Sequence, residues 1–510
     1  ESFTSLGLDS ISALDIVGIL EKEYQLSLNP TLLFEYDNVN LLSDYLNSKS
    51  DQEVNISYEL LPTQKTFYSN QVFYPETPCN TQVSLDFDFH FDLERLNEAW
   101  DIITRGHESL RLAFSMTDKG PVQLINESAS YTIEHKVIKD SNNLLSQVDL
   151  IQEQLVKKVY ELSSKILYDV CYLEKPNNQS SIIFCAHHII TDAWSMSIIL
   201  KELLHLYTSL QSRVAITDAT IPKFSDYIHH INKKDDSRET LGSRDYWMKE
   251  LKDFTPIIID PKINDTHNIE KSNGIYLDSL DKQQTKALEN FAIQKKVSVF
   301  HALVSAYCIL LYKITEQPDI AIRLASENRD RTFDNVDKLS GCIADSIPLR
   351  IKLDHDCQIE AIAARVKDKI RLASLNSGSS SLDFASILQT RNQCGPVGIT
   401  PFGMSYVNAD HFWRVKSEQT PEVNCRVSLP FTLLSFMVLK QNGTLKFSWN
   451  YSKQHYTNEE VKVLNKRLIE IIENDDLVVL NSSNEPYENS LELPREVFFK
   501  DCLLYTSPSP

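Results

Sequence analysis

The chain has 510 residues, which is long enough for two to four domains with a sizeable core. A content of 42% hydrophobic and 24% charged residues is typical of a soluble globular protein, and the formal net charge of −19 argues against a broad surface for nucleic-acid phosphates. No run of about eighteen apolar residues occurs, so the sequence predicts no membrane span.

The cysteines and the chain start indicate where the protein works. Nine cysteines, an odd number with no Cys-x-x-Cys pair, favour a reduced cytoplasmic compartment over a disulfide framework. The chain begins at Glu1 without a methionine or a positively charged leader, which indicates a fragment of a longer protein and no signal peptide.

The first 47 residues predict a small helical unit. Apolar Ile11, Leu14, Val17 and Leu20 recur at helical spacing, with Asp9 or Ser10 placed to cap the helix start, and "LLFEYDNVNLLSDYLNS" predicts a second helix. Such a unit buries little surface, so we expect it to be incomplete at its front. The polar stretch 48–57 predicts a linker.

Residues 58–475 predict alternating strands and helices, which indicates a mixed α/β fold with helix-covered sheets. In 58–240 the strands are "TQVSLDFDFHF" and "SIIFCA", and the helices are "DLERLNEAWDIITRG" and "SMSIILKELLHLYTSL". In 241–475 a buried helix, "SVFHALVSAYCILLYKI", precedes the strands "DIAIRLAS", "CIADSIPLRIKL", "PFGMSYVNA", "PFTLLSFMVLK" and "GTLKFSWNYS", and a helix closes near residue 474. Residues 476–510 form a tail whose last nine, "CLLYTSPSP", we interpret as a translated sequencing-adapter remnant.

The stretch "CAHHIITDAWS" at 185–195 concentrates the candidate chemistry. Side chains alternate along a strand, so an extended strand would turn His187 and His188 to opposite faces, and only one would reach a given cavity. Asp192 follows near an apolar strand end and needs a cation or several donors. One histidine would then transfer protons while Asp192 pairs with a buried arginine. Two alternatives remain: an ordinary structural strand end, and a metal site, for which no third ligand stands at a recognisable spacing.

These residues match the His-His-x-x-x-Asp motif of the condensation domains of nonribosomal peptide synthetases, whose fold is shared with chloramphenicol acetyltransferase. Neighbouring stretches resemble further family segments in the right order from about 58 to 474. They are "LLPTQKTFYSNQ", "RGHESLRLAF", "FSDYIHHI" with "RDYW", "DIAIRLASENR" and "LSGCIADSIPLRI".

The resemblance implies a V-shaped pair of chloramphenicol-acetyltransferase-like lobes, 58–240 and 241–475. Both carrier arms would enter a tunnel between them, where an aminoacyl amine attacks an acyl thioester. His188 would be the catalytic residue and His187 structural. Asp192 would hold the loop through a salt bridge with Arg111, Arg329 or Arg350.

The sequence departs from the family pattern at two positions. Ala193 stands where the family usually has glycine after the aspartate. Its N–H could still serve an oxyanion contact, while its methyl group would narrow the tunnel, or strain the loop if a positive φ is needed. The second departure is Gly106, inserted between Arg105 and His107.

The first 47 residues resemble part of an acyl or peptidyl carrier domain. Ser10, in "LGLDSISAL", stands at the position that carries 4′-phosphopantetheine, and helix capping is the alternative role. The partners implied are an upstream donor carrier, a downstream acceptor carrier, adenylation or polyketide synthase modules and a phosphopantetheinyl transferase, with no nucleic acid, membrane or metal. Besides amide formation, two functions remain open: ester formation with a hydroxyl acceptor, and non-catalytic docking of carriers.

Overall fold

A computed structural model describes most of the chain. The described residues are 3, 16–17, 19–20, 32–43, 57–73, 75–118, 120–127, 130–212, 221–233, 238–254, 273–353, 359–376, 384, 401–412, 421–429 and 432–473. The chain divides into two compact units, the first of residues 1–57 with 124–126 and the second of the remainder.

The first unit is described in small part. Its helix α1 spans Leu32–Glu35, and Leu32 and Leu33 are buried against Val17, with Leu20 packed beside them. Ser10, with the start of the helix predicted there, lies outside the described residues, as do the linker 48–56 and the tail beyond 473.

Strands and helices alternate through the second unit, whose first strand begins at the boundary between the units. The strands are β1 Ser57–Glu59, β2 Asn80–Phe87, β3 Leu112–Thr117, β4 Gly120–Ile125, β5 Glu134–Val137, β6 Tyr168–Lys175, β7 Gln179–His187, β8 Asn273–Leu280, β9 Asp319–Ser326, β10 Asp345–Lys352, β11 Phe402–Asn408, β12 Glu422–Ser428, β13 Leu434–Gln441 and β14 Thr444–Ser452. The helices are α2 Pro62–Phe73, α3 Leu93–Gly106, α4 Leu144–Val156, α5 Ala193–Ser212, α6 Phe224–Asn232, α7 Arg238–Glu250, α8 Lys282–Gln294, α9 Val299–Thr315, α10 Ile359–Leu375, α11 Ala409–Phe412 and α12 Asn458–Glu473.

A five-stranded sheet, in the order β12-β2-β7-β6-β5, carries the histidine pair. Its central strand β7 is apolar on both faces because each face is covered. Phe184 packs edge-on against Trp100 of α3, while Ile183 and Cys185 belong to a cluster with Leu155 of α4. Such coverage fits the continuous apolar run that the sequence shows there.

A six-stranded sheet, in the order β10-β9-β11-β13-β14-β8, forms the second layer system. One face packs against helices α8, α9, α10 and α12 in the largest hydrophobic cluster described. Helix α9 is buried over most of its length because it lies between this sheet and its helical neighbours, as its all-round apolar pattern predicts. A smaller sheet has the order β1-β4-β3.

Strand β12 connects the two halves of the second unit. It comes from the stretch predicted to form the C-terminal lobe, yet it pairs antiparallel with β2 at the edge of the five-stranded sheet. Its sequence, "EVNCRVS", was not predicted as a strand. The other strands and helices predicted for 58–475 are present, with bounds shifted by a few residues.

Within the described residues, no single helix has the length and apolar character to cross a membrane. Helices α8 and α9 meet those criteria only as a pair, and the pair is bent by 96° at its junction.

Candidate active site

Strand β7 ends at His187, so it stops one residue before His188 and does not include both histidines. His187 is the last strand residue and pairs with Asn80. His188 opens the following turn, and its N–H donates to the carbonyl oxygen of Cys79 at 2.8 Å. The two rings therefore differ in environment: His187 is fully buried, whereas His188 is half-buried.

The ring of His187 is neutral and held on both sides. Its Nδ1 accepts a hydrogen bond from the Ile189 N–H at 3.1 Å, so its Nε2 carries the proton and donates to Gln71 Oε1 at 3.1 Å. Burial, and then repulsion by His188, lowers the pKa of His187 to about 3. With both nitrogens engaged, this ring positions the turn and has no site for a substrate proton.

The ring of His188 is less constrained. It stacks on Phe67, with ring centroids 4.6 Å apart and planes inclined by 19°. Its Nδ1 is buried and has no hydrogen-bond partner among the residues that the structure describes. Burial lowers the pKa of His188 below its ordinary value, against the opposing effect of its own carbonyl group and of Asp192. A neutral ring at physiological pH is able to accept a proton.

One face of helix α2 holds three consecutive residues of this turn. Gln71 accepts from His187, Phe67 stacks on His188, and Gln64 Nε2 donates to the Ile189 carbonyl at 3.2 Å. Positions 64, 67 and 71 fall on one side of a helix, because three- and seven-residue steps nearly complete whole turns. No role was assigned to the segment "LLPTQKTFYSNQ" from the sequence, although the spacing of Gln64, Phe67 and Gln71 indicates one face of a helix.

Asp192 caps the start of α5 and is satisfied on both carboxylate oxygens. Oδ1 accepts from the Ser195 N–H at 2.7 Å and lies 3.4 Å from Arg329 Nη2, while Oδ2 accepts from the Ala344 N–H at 2.9 Å and the Ile343 N–H at 3.2 Å. Burial alone would raise the pKa of this carboxyl, but Arg329 and these N–H groups outweigh it and hold the pKa below its ordinary value.

Of the three candidate arginines, Arg329 is the one that pairs with Asp192. Its side chain is fully buried, and its Nη1 donates to backbone carbonyl oxygens of the turn that follows. Arg111 pairs with Glu127, and Arg350 forms a two-bond pair with Asp319 on the neighbouring strand. The sequence could not separate them because all three are buried arginines near strand or turn ends.

Comparisons with known proteins show the family to which the chain belongs. The family model named "Condensation domain" matches residues 54–475, and the model named "Phosphopantetheine attachment site" matches residues 1–46. The chain belongs to the condensation-domain family. The attachment-site domain in front of it is of the kind that carries 4′-phosphopantetheine.

Relatives of this condensation domain are large synthetases. Gramicidin S synthase 2 of Brevibacillus brevis is 23% identical over 494 residues, which are 92% of this chain and 11% of that protein. A hybrid PKS-NRPS synthetase of Xenoacremonium sinensis is 25% identical over 356 residues, 68% of this chain and 8% of that protein. The chain thus spans about a tenth of the length of these relatives.

Solved condensation domains share the fold. The first condensation domain of the calcium-dependent antibiotic synthetase, in complex with a substrate analogue, superposes with a TM-score of 0.72 at 16% identity, covering 83% of this chain and 97% of that one. The condensation domain of the monacolin K polyketide synthase gives 0.68 at 15% identity, over 82% and 96%. The chloramphenicol-acetyltransferase-like fold expected from the sequence is confirmed.

Ser195 joins the histidine loop of the condensation domain to the turn before β10. Its Oγ accepts from Arg329 Nη2 at 3.1 Å and from the Gly341 N–H at 3.0 Å, and it donates to the Gly341 carbonyl at 2.8 Å. A Cβ on Gly341 would overlap the Phe224 ring, so glycine is required by the close approach. No role had been assigned to Ser195 from the sequence.

The segment with the inserted glycine makes a second connection of this kind. Gly106 ends α3, and the buried His107 that follows bonds Ser340 Oγ through Nδ1 at 2.8 Å and Glu202 Oε2 through Nε2 at 2.9 Å. Ser109 Oγ also lies 2.7 Å from Ser340 Oγ. The insertion therefore leaves an ordered, fully bonded turn.

Ala193 occupies an ordinary position. It is the first residue of α5, its side chain is exposed, and it is absent from the residues with positive φ. The strain anticipated for an alanine at a glycine position does not arise. The methyl group extends into open space next to the capped end of α5.

The donor set around His188 leaves no vacancy for a metal ion. Both Asp192 oxygens face N–H groups or Arg329. Among the residues that the structure describes, no group of three or more His, Cys, Asp or Glu side chains is placed to hold a metal.

Proposed function

We propose that this condensation domain forms an amide bond between a carrier-bound acyl or peptidyl thioester and a carrier-bound aminoacyl group. The acceptor amine attacks the thioester carbonyl, the carbon–nitrogen bond forms, and the carbon–sulfur bond breaks to release the donor thiol. The amine loses one proton and the leaving thiolate gains one. The enzyme must therefore hold the amine, orient it and take up a proton.

His188 is the residue that we assign to this proton. The observation that carries the assignment is its ring: half-buried, stacked on Phe67, with a lowered pKa and a buried Nδ1 that has no partner in the described structure. Because Nδ1 is buried, we assign Nε2 of the neutral imidazole as the nitrogen that accepts a hydrogen bond from the amine and then the proton. His187 and Asp192 act by positioning, because their polar atoms are engaged within the protein.

The regular backbone at Ala193 supports catalysis over simple docking of carriers. A strained or collapsed loop would favour a non-catalytic module, whereas here hydrogen bonds join Asp192, Ser195 and Arg329. We further propose that Ser10 carries the phosphopantetheine arm of the donor, installed by a phosphopantetheinyl transferase. A downstream carrier would bring the acceptor, loaded by an adenylation module, in the cytoplasm.

Intact-mass spectrometry of an acceptor carrier tests the assignment. The protein is mixed with a loaded donor carrier and an aminoacyl acceptor carrier, and the acceptor is expected to gain the mass of the donor acyl group. His188→Ala is expected to lower the rate by roughly a hundredfold or more, as is typical when a general base is removed.

A matched control variant tests whether the loss of rate is specific to the His188 ring. His205→Ala removes an exposed histidine of helix α5 and is expected to leave the rate unchanged. Transfer at the normal rate in His188→Ala would refute the role of His188. A hydroxy-acyl acceptor in parallel distinguishes ester from amide formation, and binding of loaded carriers without any transfer would favour the docking function.

A further inference from the structure

A row of polar residues crosses the six-stranded sheet on one face. The strand register places Arg323 of β9 opposite Gly403 of β11, Gly403 opposite Ser435 of β13, and Ser435 opposite Asn450 of β14. Adjacent strands lie about 4.8 Å apart, so the row extends over roughly 14 Å.

The row lies on the face opposite the helices. Side chains alternate along a strand, and the sequence neighbours Leu324, Phe436 and Trp449 all belong to the helix-covered hydrophobic cluster. Arg323 and Asn450 must therefore project from the other face. That face lies towards β12, because Lys446 of β14 donates to the Val423 carbonyl at 2.9 Å.

Arg323 is a largely unpaired cation in this row. Nη2 donates to Thr432 Oγ1 at 2.8 Å, while Nε is buried without a partner. No carboxylate of the described residues forms an ion pair with it, although the chain carries an excess of acidic residues. Burial lowers the pKa of Arg323, which is the sign of an uncompensated charge. The side chain of Arg323 is half-buried, and its Nε has lost contact with water without gaining a partner among the described residues, which is costly unless a ligand binds there.

Asn450 supplies a second unpaired group at the far end of the row. It is 5% exposed, and within the described part of the chain neither its Nδ2 nor its Oδ1 has a hydrogen-bond partner. Buried polar groups are nearly always bonded, so each exception requires a reason. Between the two residues Gly403 packs closely against Ser435, since a Cβ there would lie 3.0 Å from Ser435 Oγ.

The row lies between a large cleft and the histidine pair. A cleft of about 1230 Å³ is lined on this same face by Met437 and Ser448, which are two residues from Ser435 and Asn450. At the other end of β14, Ser452 pairs with Asn273, whose Nδ2 donates to the Leu429 carbonyl at 2.5 Å.

Strand pairing connects the residue before Leu429 to the histidine pair. The preceding residue, Ser428, pairs with Asn80, and Asn80 pairs with His187. The strand pairing therefore places the polar row between the cleft and the strand end that carries the histidine pair.

We propose that Arg323 and Asn450 bind a carboxylate carried by one of the two substrates, on the donor acyl chain or on the acceptor side chain. A guanidinium offers its Nε and Nη groups as a fork that matches a carboxylate, and the Asn450 amide adds a further donor. The proposal rests on the proposed condensation activity and adds to it a preference for an anionic substrate.

Matched substrate pairs test the preference by the same mass assay. In the donor arm a carrier-bound glutaryl group competes with its neutral glutaramyl counterpart, and in the acceptor arm glutamyl competes with glutaminyl. We expect wild type to favour the carboxylate roughly tenfold or more in one arm, because an unfilled polar site rejects the wrong partner strongly. Arg323→Met should bring that ratio to about one. Equal rates in both arms of wild type, or an unchanged ratio in Arg323→Met, would overturn the proposal.

A binding measurement decides the case in which no transfer occurs at all. If no substrate pair gives product, the proposed condensation activity is contradicted. Anion binding is then tested separately by thermal unfolding. Glutarate is expected to raise the Tm of wild type more than glutaramide at matched ionic strength, and not to raise that of Arg323→Met. The same substitution at Arg371, exposed on α10, is the control and should retain the glutarate effect. Identical Tm shifts with glutarate and glutaramide would contradict an anion site.

Discussion

The two adjacent histidines of this protein differ in how their ring nitrogens are hydrogen-bonded. His187 is saturated by the Ile189 N–H and by Gln71, so it is locked as a neutral tautomer. His188 stacks on the Phe67 ring, which orients it, and its buried Nδ1 has no hydrogen-bond partner among the described residues. The residue type is the same, and the neighbours on α2 decide which ring is free to react.

The buried, neutral His187 predicts a loss of stability in mild acid. Its folded pKa lies below its unfolded pKa, so the unfolded chain binds the proton first as the pH falls. There is no penalty above the unfolded pKa, and stability falls as the pH drops below about 6.5, by about 2 kcal/mol at pH 5. His187→Asn, which retains an acceptor for the Ile189 N–H, should show a flatter dependence of the unfolding free energy on pH between 5 and 7.5.

Urea unfolding at several pH values measures this dependence. His205→Asn, at an exposed position on α5, serves as the control and should lose as much stability in acid as wild type does. If His187→Asn retained the full acid sensitivity, the titration of His187 would not be its cause.

At the scale of elements, the start of α5 is held by the turn that precedes β10. Asp192 caps the helix and accepts N–H groups from Ile343 and Ala344, while Arg329 reaches both Asp192 and Ser195. A helix of the five-stranded half is thus tied to a turn of the six-stranded half. Movement of either element would displace the loop that carries His188.

Removing Arg329 should therefore be far more costly than removing a surface arginine. Arg329→Met leaves the buried Asp192 carboxylate without its cation and is expected to lower the unfolding free energy by about 3 kcal/mol or more. Arg105→Met breaks an exposed pair with Asp101 and should cost less than about 1 kcal/mol. Chemical unfolding of both variants gives the comparison, and similar costs would show that the buried pair does not hold these elements together.

Local pattern predicted the strands and helices with the clearest apolar runs, which are fewer than half of those that the structure describes in 58–475. "DIAIRLAS" and the buried helix α9 could be read directly from their apolar runs. Strand β12 was missed although "EVNCRVS" alternates apolar Val423, Cys425 and Val427 with polar residues, which is the period of a strand. What the local pattern could not show is its partner β2, which lies more than three hundred residues earlier. The motif predicted His187, His188 and Asp192 as a set, whereas the choice of Arg329 depended on which strand end faces α5.

At the scale of the whole molecule, the chain joins an attachment-site domain to a condensation domain. The two family models match separate stretches, 1–46 and 54–475, and the residues of the histidine site all belong to the second compact unit. The described residues around His188 therefore all come from the second unit. The proposed role of the first unit is delivery of the donor on Ser10.

This separation predicts that loss of Ser10 abolishes loading and spares catalysis. Ser10→Ala should gain no phosphopantetheine mass on incubation with a phosphopantetheinyl transferase and coenzyme A, because the hydroxyl that forms the phosphodiester is absent. It should still transfer an acyl group from a donor carrier supplied separately, since His188 and its supports are unchanged. Ser12→Ala, two residues away, is the control and should be loaded like wild type. Loading of Ser10→Ala would move the attachment to another serine, and loss of transfer from the separate donor would mean that the first unit contributes to the active site itself.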